Sequence, residues 1–186
     1  GSIVIKLPLP PSCLTTIWGA NNTFIEKYLT RFPGYYETGD AGYLDDDGYI
    51  YIMARTDDVI NVAGHRLSTG QIEEVISEHP DVAECAVIGI NDELKGQIPI
   101  SLVCLYPDTQ NSETKICEEI VQLVINKVGR VSSLKKVVII DRLPKTRSGK
   151  IVRSTMVKIA NHEKWMIPAT IEDATVLEEI SRALEK

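Results

Sequence analysis

Nothing in this 186-residue chain is apolar for long enough to cross a bilayer. A span needs about 20 apolar residues, and the longest apolar run of the C-terminal half, Val137-Val138-Ile139-Ile140, is the length of a strand. No CxxC pair occurs among the four cysteines at positions 13, 85, 104 and 117. None of the three histidines, His65, His79 and His162, stands at a metal-ligand spacing. The expectation is four reduced thiols in a reducing compartment, Cys85 and Cys104 within apolar strands, with neither zinc nor disulfides. Positive charge is also short. The net charge of −6 argues against non-specific nucleic-acid binding. Internal repeats and low-complexity stretches are absent.

What remains is globular in composition, with 44% hydrophobic and 25% charged residues. The length allows one domain, or one domain with a piece of another. Gly1-Ser2 before an abrupt apolar start reads as a cloning scar, and an opening inside a strand (Ile3, Ile5, Leu7) as an excised piece. The average charge hides a segregation. Residues 127–158 hold ten bases and one acid, Asp141, a net +9 that leaves −15 for the rest. Such a local cationic field suits a small polyanion, while its plainer reading is a solvated basic face.

Hydrophobic periodicity orders the chain. Residues 12–34 carry a short helical stretch with Ile25, Tyr28 and Leu29 at helical spacing. Tyr35 to Met53 reads as a hairpin turning at Leu44-Asp45-Asp46-Asp47-Gly48. A second hairpin pairs Val59–Val62 with His65–Leu67 around Ala63-Gly64. Ser68 and Gln71 form a capping box for a helix that buries Ile72, Val75 and Ile76 and ends before Pro80. Strands at Ala83–Ile90 and Ile98–Tyr106 follow, then a helix from Ser112 to Gly129. Lys136–Ile140 is a strand, Leu143–Gly149 a loop, Lys150–Ala160 a helix. A tail helix packs through Val176, Ile180 and Leu184. The order from residue 56 is ββαββαβαα, an α+β domain with a three-stranded sheet plus a hairpin and flanking helices.

Chemistry concentrates in four segments. Leu143-Pro144-Lys145-Thr146-Arg147-Ser148-Gly149-Lys150 projects a lysine from a Ser-Gly turn, where a helix N-terminus would add its dipole against an anion. It is not a phosphate-binding P-loop, because Pro144 stands where glycine is needed and Ile151 where Ser or Thr is needed. Tyr36-Glu37-Thr38-Gly39-Asp40 reads as a tight turn delivering a carboxylate that could accept both hydroxyls of a ribose. Ala54-Arg55-Thr56-Asp57-Asp58 lies where one hairpin ends and the next domain begins. Asn61-Val62-Ala63-Gly64-His65-Arg66-Leu67 follows. Taken singly, each is as readily an ordinary surface turn or loop.

As an ordered set, YETGD, RTDDVINVAGHRLS, QIEEVI and PKTRSGKI resemble the later motifs of the adenylate-forming superfamily of acyl-CoA synthetases, adenylation domains and luciferases. Gly-His-Arg-Leu, and Gly96-Gln97 after Asp92-Glu93-Leu94-Lys95, look most like its short-chain, acetyl-/propionyl-CoA branch. The resemblance covers nearly the whole chain but only the last part of such an enzyme; the superfamily's ATP loop and acyl pocket lie upstream. It implies residues 1–55 as the end of a large N-terminal domain and 56–186 as a mobile C-terminal domain. It further implies a two-step reaction on a small carboxylate, ATP and coenzyme A, with Mg2+ held mainly through the nucleotide and the N-terminal domain. Carried over by position, Asp40 binds the ribose hydroxyls and Arg55 the ribose–phosphate side. Asp57 is the hinge. Gly64, with Ala63 before it, lines the coenzyme A passage. Arg66 touches a phosphate, and Lys150 bridges carboxylate and α-phosphate in the first step. Lys150 is also the expected site of an acetylation off-switch.

Ala63 departs from the serine frequent in short-chain relatives. Ile125 and Asn126 stand where an arginine for the coenzyme A 3′-phosphate is expected. The resemblance points to the mitochondrial matrix, with the cytoplasm as the alternative. Rival readings are a medium-chain or carrier-protein-loading ligase, and a non-catalytic module that binds a nucleotide or partner.

Overall fold

The computed structural model describes residues 1–185, and of Met53 and Asp57 the backbone alone. The chain divides into two compact units, Gly1–Asp57 and Asp58–Lys186. The first is an antiparallel sheet ordered β1 (Ser2–Lys6), β2 (Tyr35–Leu44), β3 (Ile50–Arg55), with one helix, α1 (Asn21–Tyr28). The expected hairpin is present: Tyr43 stands opposite Tyr51, their rings stacked 4.9 Å apart. Its turn is held by the Asp45 carboxylate, which accepts the Asp47 and Tyr49 amides. α1 is shorter than the sequence suggests and buries Phe24, leaving Ile25 exposed. Phe24, Tyr28 and Tyr36 form one aromatic cluster.

The second unit follows the predicted order: β4 (Val59–Val62), β5 (His65–Ser68), α2 (Thr69–Ser77), β6 (Val82–Asp92), β7 (Gly96–Leu105), α3 (Glu113–Lys127), β8 (Lys136–Ile139), α4 (Arg153–Ala160), α5 (Thr175–Leu184). The class is α+β. The hairpin and the three strands join in one five-stranded sheet, β5-β4-β7-β6, with β8 parallel to β7. The link is one register pair, Val62 opposite Gly96, on the edge of β7 that β8 occupies further along.

Both faces of this sheet are covered, as the unbroken apolar runs of β6 and β7 require. Ile60, Val62, Val87 and Val103 meet Ile72 and Ile76 of α2 and Ile116, Ile120 and Val124 of α3 on one side. Ala86, Ile88, Ile100 and Leu102 meet Met156 and Ile159 of α4 and Val176, Leu177 and Ile180 of α5 on the other. Three local expectations fail. Ser68 does precede α2, but its hydroxyl accepts no capping bond, whereas Ser112 caps α3 through the Lys115 amide. The Tyr36–Asp40 segment is no turn; it lies inside β2, where the pairing with β1 slips between Glu37 and Ala41 and Gly39 takes φ +80°. And α4 starts at Arg153, not Lys150, because the Val152 amide donates to Pro144 and residue 151 pairs with residue 145.

All four cysteines are free; Cys104 is buried and Cys13, Cys85 and Cys117 are half-buried. Burial pushes the Cys85 thiol up to about 12, with Glu73 adding to it, and the Cys104 thiol up to about 11. Among the described residues no helix is long and apolar enough to cross a membrane.

Candidate functional site

In the first unit, cross-strand register places Asp40 opposite Arg55. An Arg55 Nη1 lies 3.5 Å from Asp40 Oδ1 and 3.5 Å from the Thr38 carbonyl. Both side chains remain partly open to solvent. The guanidinium lies over Gly39, where a Cβ would stand 2.8 Å from Nη2. Glycine is needed here for its positive φ; a Cβ would only displace the flexible end of the Arg55 side chain. The Asp40 amide donates to the Thr38 hydroxyl, and Thr56 donates to the Gly39 carbonyl, so the backbone around the carboxylate is fixed. The aromatic cluster adjoins this corner. Burial is the main cause that raises the Tyr36 phenol, with Arg55 opposing it.

In the second unit, Ala63 and Gly64 form the two-residue turn between β4 and β5, with φ of +49° and +87°. Two positive φ values define the turn type that matches strand twist. The Ala63 amide donates to the Lys95 carbonyl at 2.8 Å. No atom lies within 4 Å of a Cβ built on Gly64, so the space before it is open. Arg66, on β5, is exposed and makes no ion pair among the described residues. Lys95 in turn reaches the Ser133 hydroxyl at 2.8 Å.

The Lys150 segment is a hairpin. Lys145 and Ile151 pair across it; the Thr146 amide donates to the Lys150 carbonyl and the Gly149 amide to the Thr146 carbonyl, each at 2.8 Å. The Lys150 amide donates to the Thr146 hydroxyl at 3.1 Å. Gly149 takes φ +80°. Outside contacts hold its base: the Arg147 amide to the Thr170 carbonyl, and the Glu172 amide to the Lys145 carbonyl. Lys150 thus projects from a rigid hairpin, without the helix dipole expected of it. Thr146, the staple of that hairpin, was not singled out in sequence; its place four residues before Lys150 is the signal that could have found it.

The cationic field expected over 127–158 is cancelled in part, at four of its ten bases. Lys127 pairs with Glu78, Arg142 with Asp173 and Glu179, Lys145 with Glu84, and Arg153 with Glu73. Among the described residues Lys150 has no acidic partner; nor do Arg130, Lys135, Arg147 and Lys158. Lys145 and Gly149 also rim an open cleft of about 460 Å³ against Glu73 and Glu74 of α2. The structure brings Asp40 to Arg55 but joins Lys150 to neither Gly64 nor Arg66 by hydrogen bond or ion pair. The expected hinge, Asp57, has its backbone in the short 3-10 turn Thr56–Asp58; its side chain lies outside the described residues. Among the described residues no cluster of three or more His, Cys, Asp or Glu side chains could hold a metal ion.

Residues 71–150 match the model of the AMP-binding enzyme C-terminal domain. An uncharacterised protein of Pseudomonas aeruginosa is 54% identical over 99% of this chain and 29% of its own length. The mitochondrial acyl-CoA synthetase short-chain family member 3 of Mus musculus is 47% identical over 100% of the chain and 27% of its own. The propionate–CoA ligase of Escherichia coli is 41% identical over 100% and 30%. The chain thus spans less than a third of the curated relatives it matches. Among solved structures, an acyl-CoA synthetase of Brucella canis superposes with a TM-score of 0.52 at 33% identity, over 68% of this chain and 23% of that one. The amide bond synthetase McbA of Marinactinospora thermotolerans gives 0.63 over 85% and 30%; at 24% identity it speaks for the fold alone.

Proposed function

We propose that this chain, whose residues 71–150 match the model of the AMP-binding enzyme C-terminal domain, is the C-terminal part of a short-chain acyl-CoA synthetase acting on an acetate- or propionate-class carboxylate. The observation that carries the reading is Lys150, an unpaired ammonium on a fixed hairpin, with Lys145 and Arg153 beside it already bound to acids. Similarity along the whole of this chain to part of enzymes named for short-chain acids and propionate supports the substrate class.

In the first step the substrate carboxylate attacks the α-phosphorus of ATP, forming acyl-AMP and expelling pyrophosphate. Negative charge gathers on the phosphoryl oxygens, and a preplaced ammonium at Lys150 stabilises it. Asp40 accepts the ribose hydroxyls, while Arg55 holds the carboxylate in place and faces the phosphate side. In the second step the coenzyme A thiol attacks the acyl carbonyl and AMP leaves; this step needs Gly64 and Arg66 rather than Lys150. The open space before Gly64 admits a thin pantetheine arm. Among the described residues no side-chain cluster forms a Mg2+ cage, and no step is assigned to the ion within this chain. Asp57 serves as the hinge between two presentations of the C-terminal domain, and acetylation of Lys150 would silence adenylation by removing its charge. The compartment proposed is the mitochondrial matrix, by analogy with the named mitochondrial relatives.

The deciding experiment separates the half-reactions in the full-length enzyme. Wild type should exchange pyrophosphate into ATP when given propionate. Lys150→Ala should abolish that exchange yet convert supplied propionyl-AMP to propionyl-CoA; equal loss of both steps would sink the assignment. Asp57→Pro, which fixes one φ angle, should impair the two steps unequally. The 186-residue chain alone, without an acyl pocket, should show no exchange.

A further inference from the structure

Arg153 sits three residues beyond Lys150, at the first position of α4, and its guanidinium does more than neutralise an acid. Nη2 donates to both oxygens of Glu73 at 2.9 Å, and Nε donates to Oε1 at 3.3 Å. Glu73 Oε1 also accepts the Val87 amide at 2.8 Å, so the carboxylate is itself fixed between α2 and β6. The same Nε lies 3.9 Å from Asp58 Oδ1. The three side chains are 24%, 17% and 28% exposed, far less than the exposed pairs elsewhere on the surface. Asp58 is the first residue of the second unit and directly follows the hinge position. On the other side, Val152 is buried and closes the base of the Lys150 hairpin through Pro144.

We propose that Arg153 is the positioning residue that ties the segment leaving the hinge to the hairpin carrying Lys150. Resting on the function proposed above, this gives a torsional change at Asp57 a direct route to the lysine. One planar fork meets α2, the entry to β4 and the start of α4 together. A lysine could keep the charge there but not the two-oxygen grip.

Two measurements test this, one of which needs no activity. In the 186-residue chain, Arg153→Ala should speed amide hydrogen exchange at Gly149 and Lys150 by about tenfold while leaving the amides of α3 unchanged. Arg153→Lys, the milder variant, should fold normally and show an intermediate effect. In the full-length enzyme, Arg153→Ala should slow adenylation about tenfold, as a displaced reacting group does, and leave the thioester step within about twofold. The lysine variant should recover most of the adenylation rate. Unchanged exchange at the hairpin, or equal loss in both half-reactions, overturns the positioning role. If the hairpin loosens as expected but Lys150→Ala itself leaves adenylation intact, Arg153 still couples the two segments and it is the proposed function that fails.

Discussion

Asp40 in the first unit faces an arginine across two strands, 3.5 Å away; Lys150 in the second meets no acid among the described residues, and its backbone is fixed. The proposed function gives each a nucleotide contact to make. The difference is between a group oriented by its partner and one aimed by its loop. A carboxylate that is to accept two hydroxyls gains from a neighbouring guanidinium that holds it in place. An ammonium that must meet charge appearing only in a transition state would be weakened by a resident acid, since that contact would have to break first.

The largest effect expected from this contrast belongs to the unpaired group. Lys150→Ala should lower the adenylation rate by about 10²–10³. Lys145→Ala, which loses only an exposed pair with Glu84 worth under about 1 kcal/mol, should change it little. Pyrophosphate exchange on the two variants, side by side, would erase the contrast if both fell alike. Next comes the paired group. Asp40→Ala should raise the KM for ATP about 10- to 100-fold, the range for a lost hydrogen bond to a charged group of about 1.5–3 kcal/mol. Its melting temperature should scarcely move, because a half-exposed ion pair adds little stability. A large loss of stability with unchanged KM would make Asp40 a structural residue.

A smaller effect concerns the thiols of the second unit. Cys85 and Cys104 stay protonated in the folded state up to about 12 and 11. The unfolded chain ionises near the ordinary thiol value, so stability is intact below that value and falls as pH rises through the folded values. Both should resist a thiol-specific reagent at pH 8 until the chain unfolds; fast labelling of either would show an opening of the β6–β7 layer. The smallest effect is at Ala63, whose φ of +49° is costly for a residue with a Cβ. Ala63→Asn should stabilise the second unit by about 0.5–1 kcal/mol, since Asn-Gly is the preferred pair for this turn. Thermal unfolding should show a rise of a few degrees.

The element order was legible because each helix of the second unit buries a regular stripe, Ile72–Val75–Ile76 or Ile116–Ile120–Val124, between turn residues that stop it. The failures share a cause. Lys150 looked like a helix start because Ser-Gly precedes it, but the cross-hairpin pairing of residues 144–146 with 150–152 keeps the backbone extended until Arg153. Gly39 looked like a turn because positive φ and turns usually coincide, whereas here it serves a slip in strand pairing under a guanidinium. The Glu73–Arg153 contact spans 80 positions, and no local pattern announces it. The order of the site motifs was readable; the pairing of their charges was not, because that depends on acids brought in from α2, β6 and α5.

The two-sided sheet has a consequence for synthesis on the ribosome. The family model ends at Lys150, yet the layer over Ala86, Ile88, Ile100 and Leu102 is completed by Met156, Ile159, Ile171, Val176, Leu177 and Ile180. A nascent chain released only as far as Lys150 could pair β6 with β7 but would leave one side of them still bare. That greasy face must wait for about thirty further residues, or be shielded by a chaperone in the meantime.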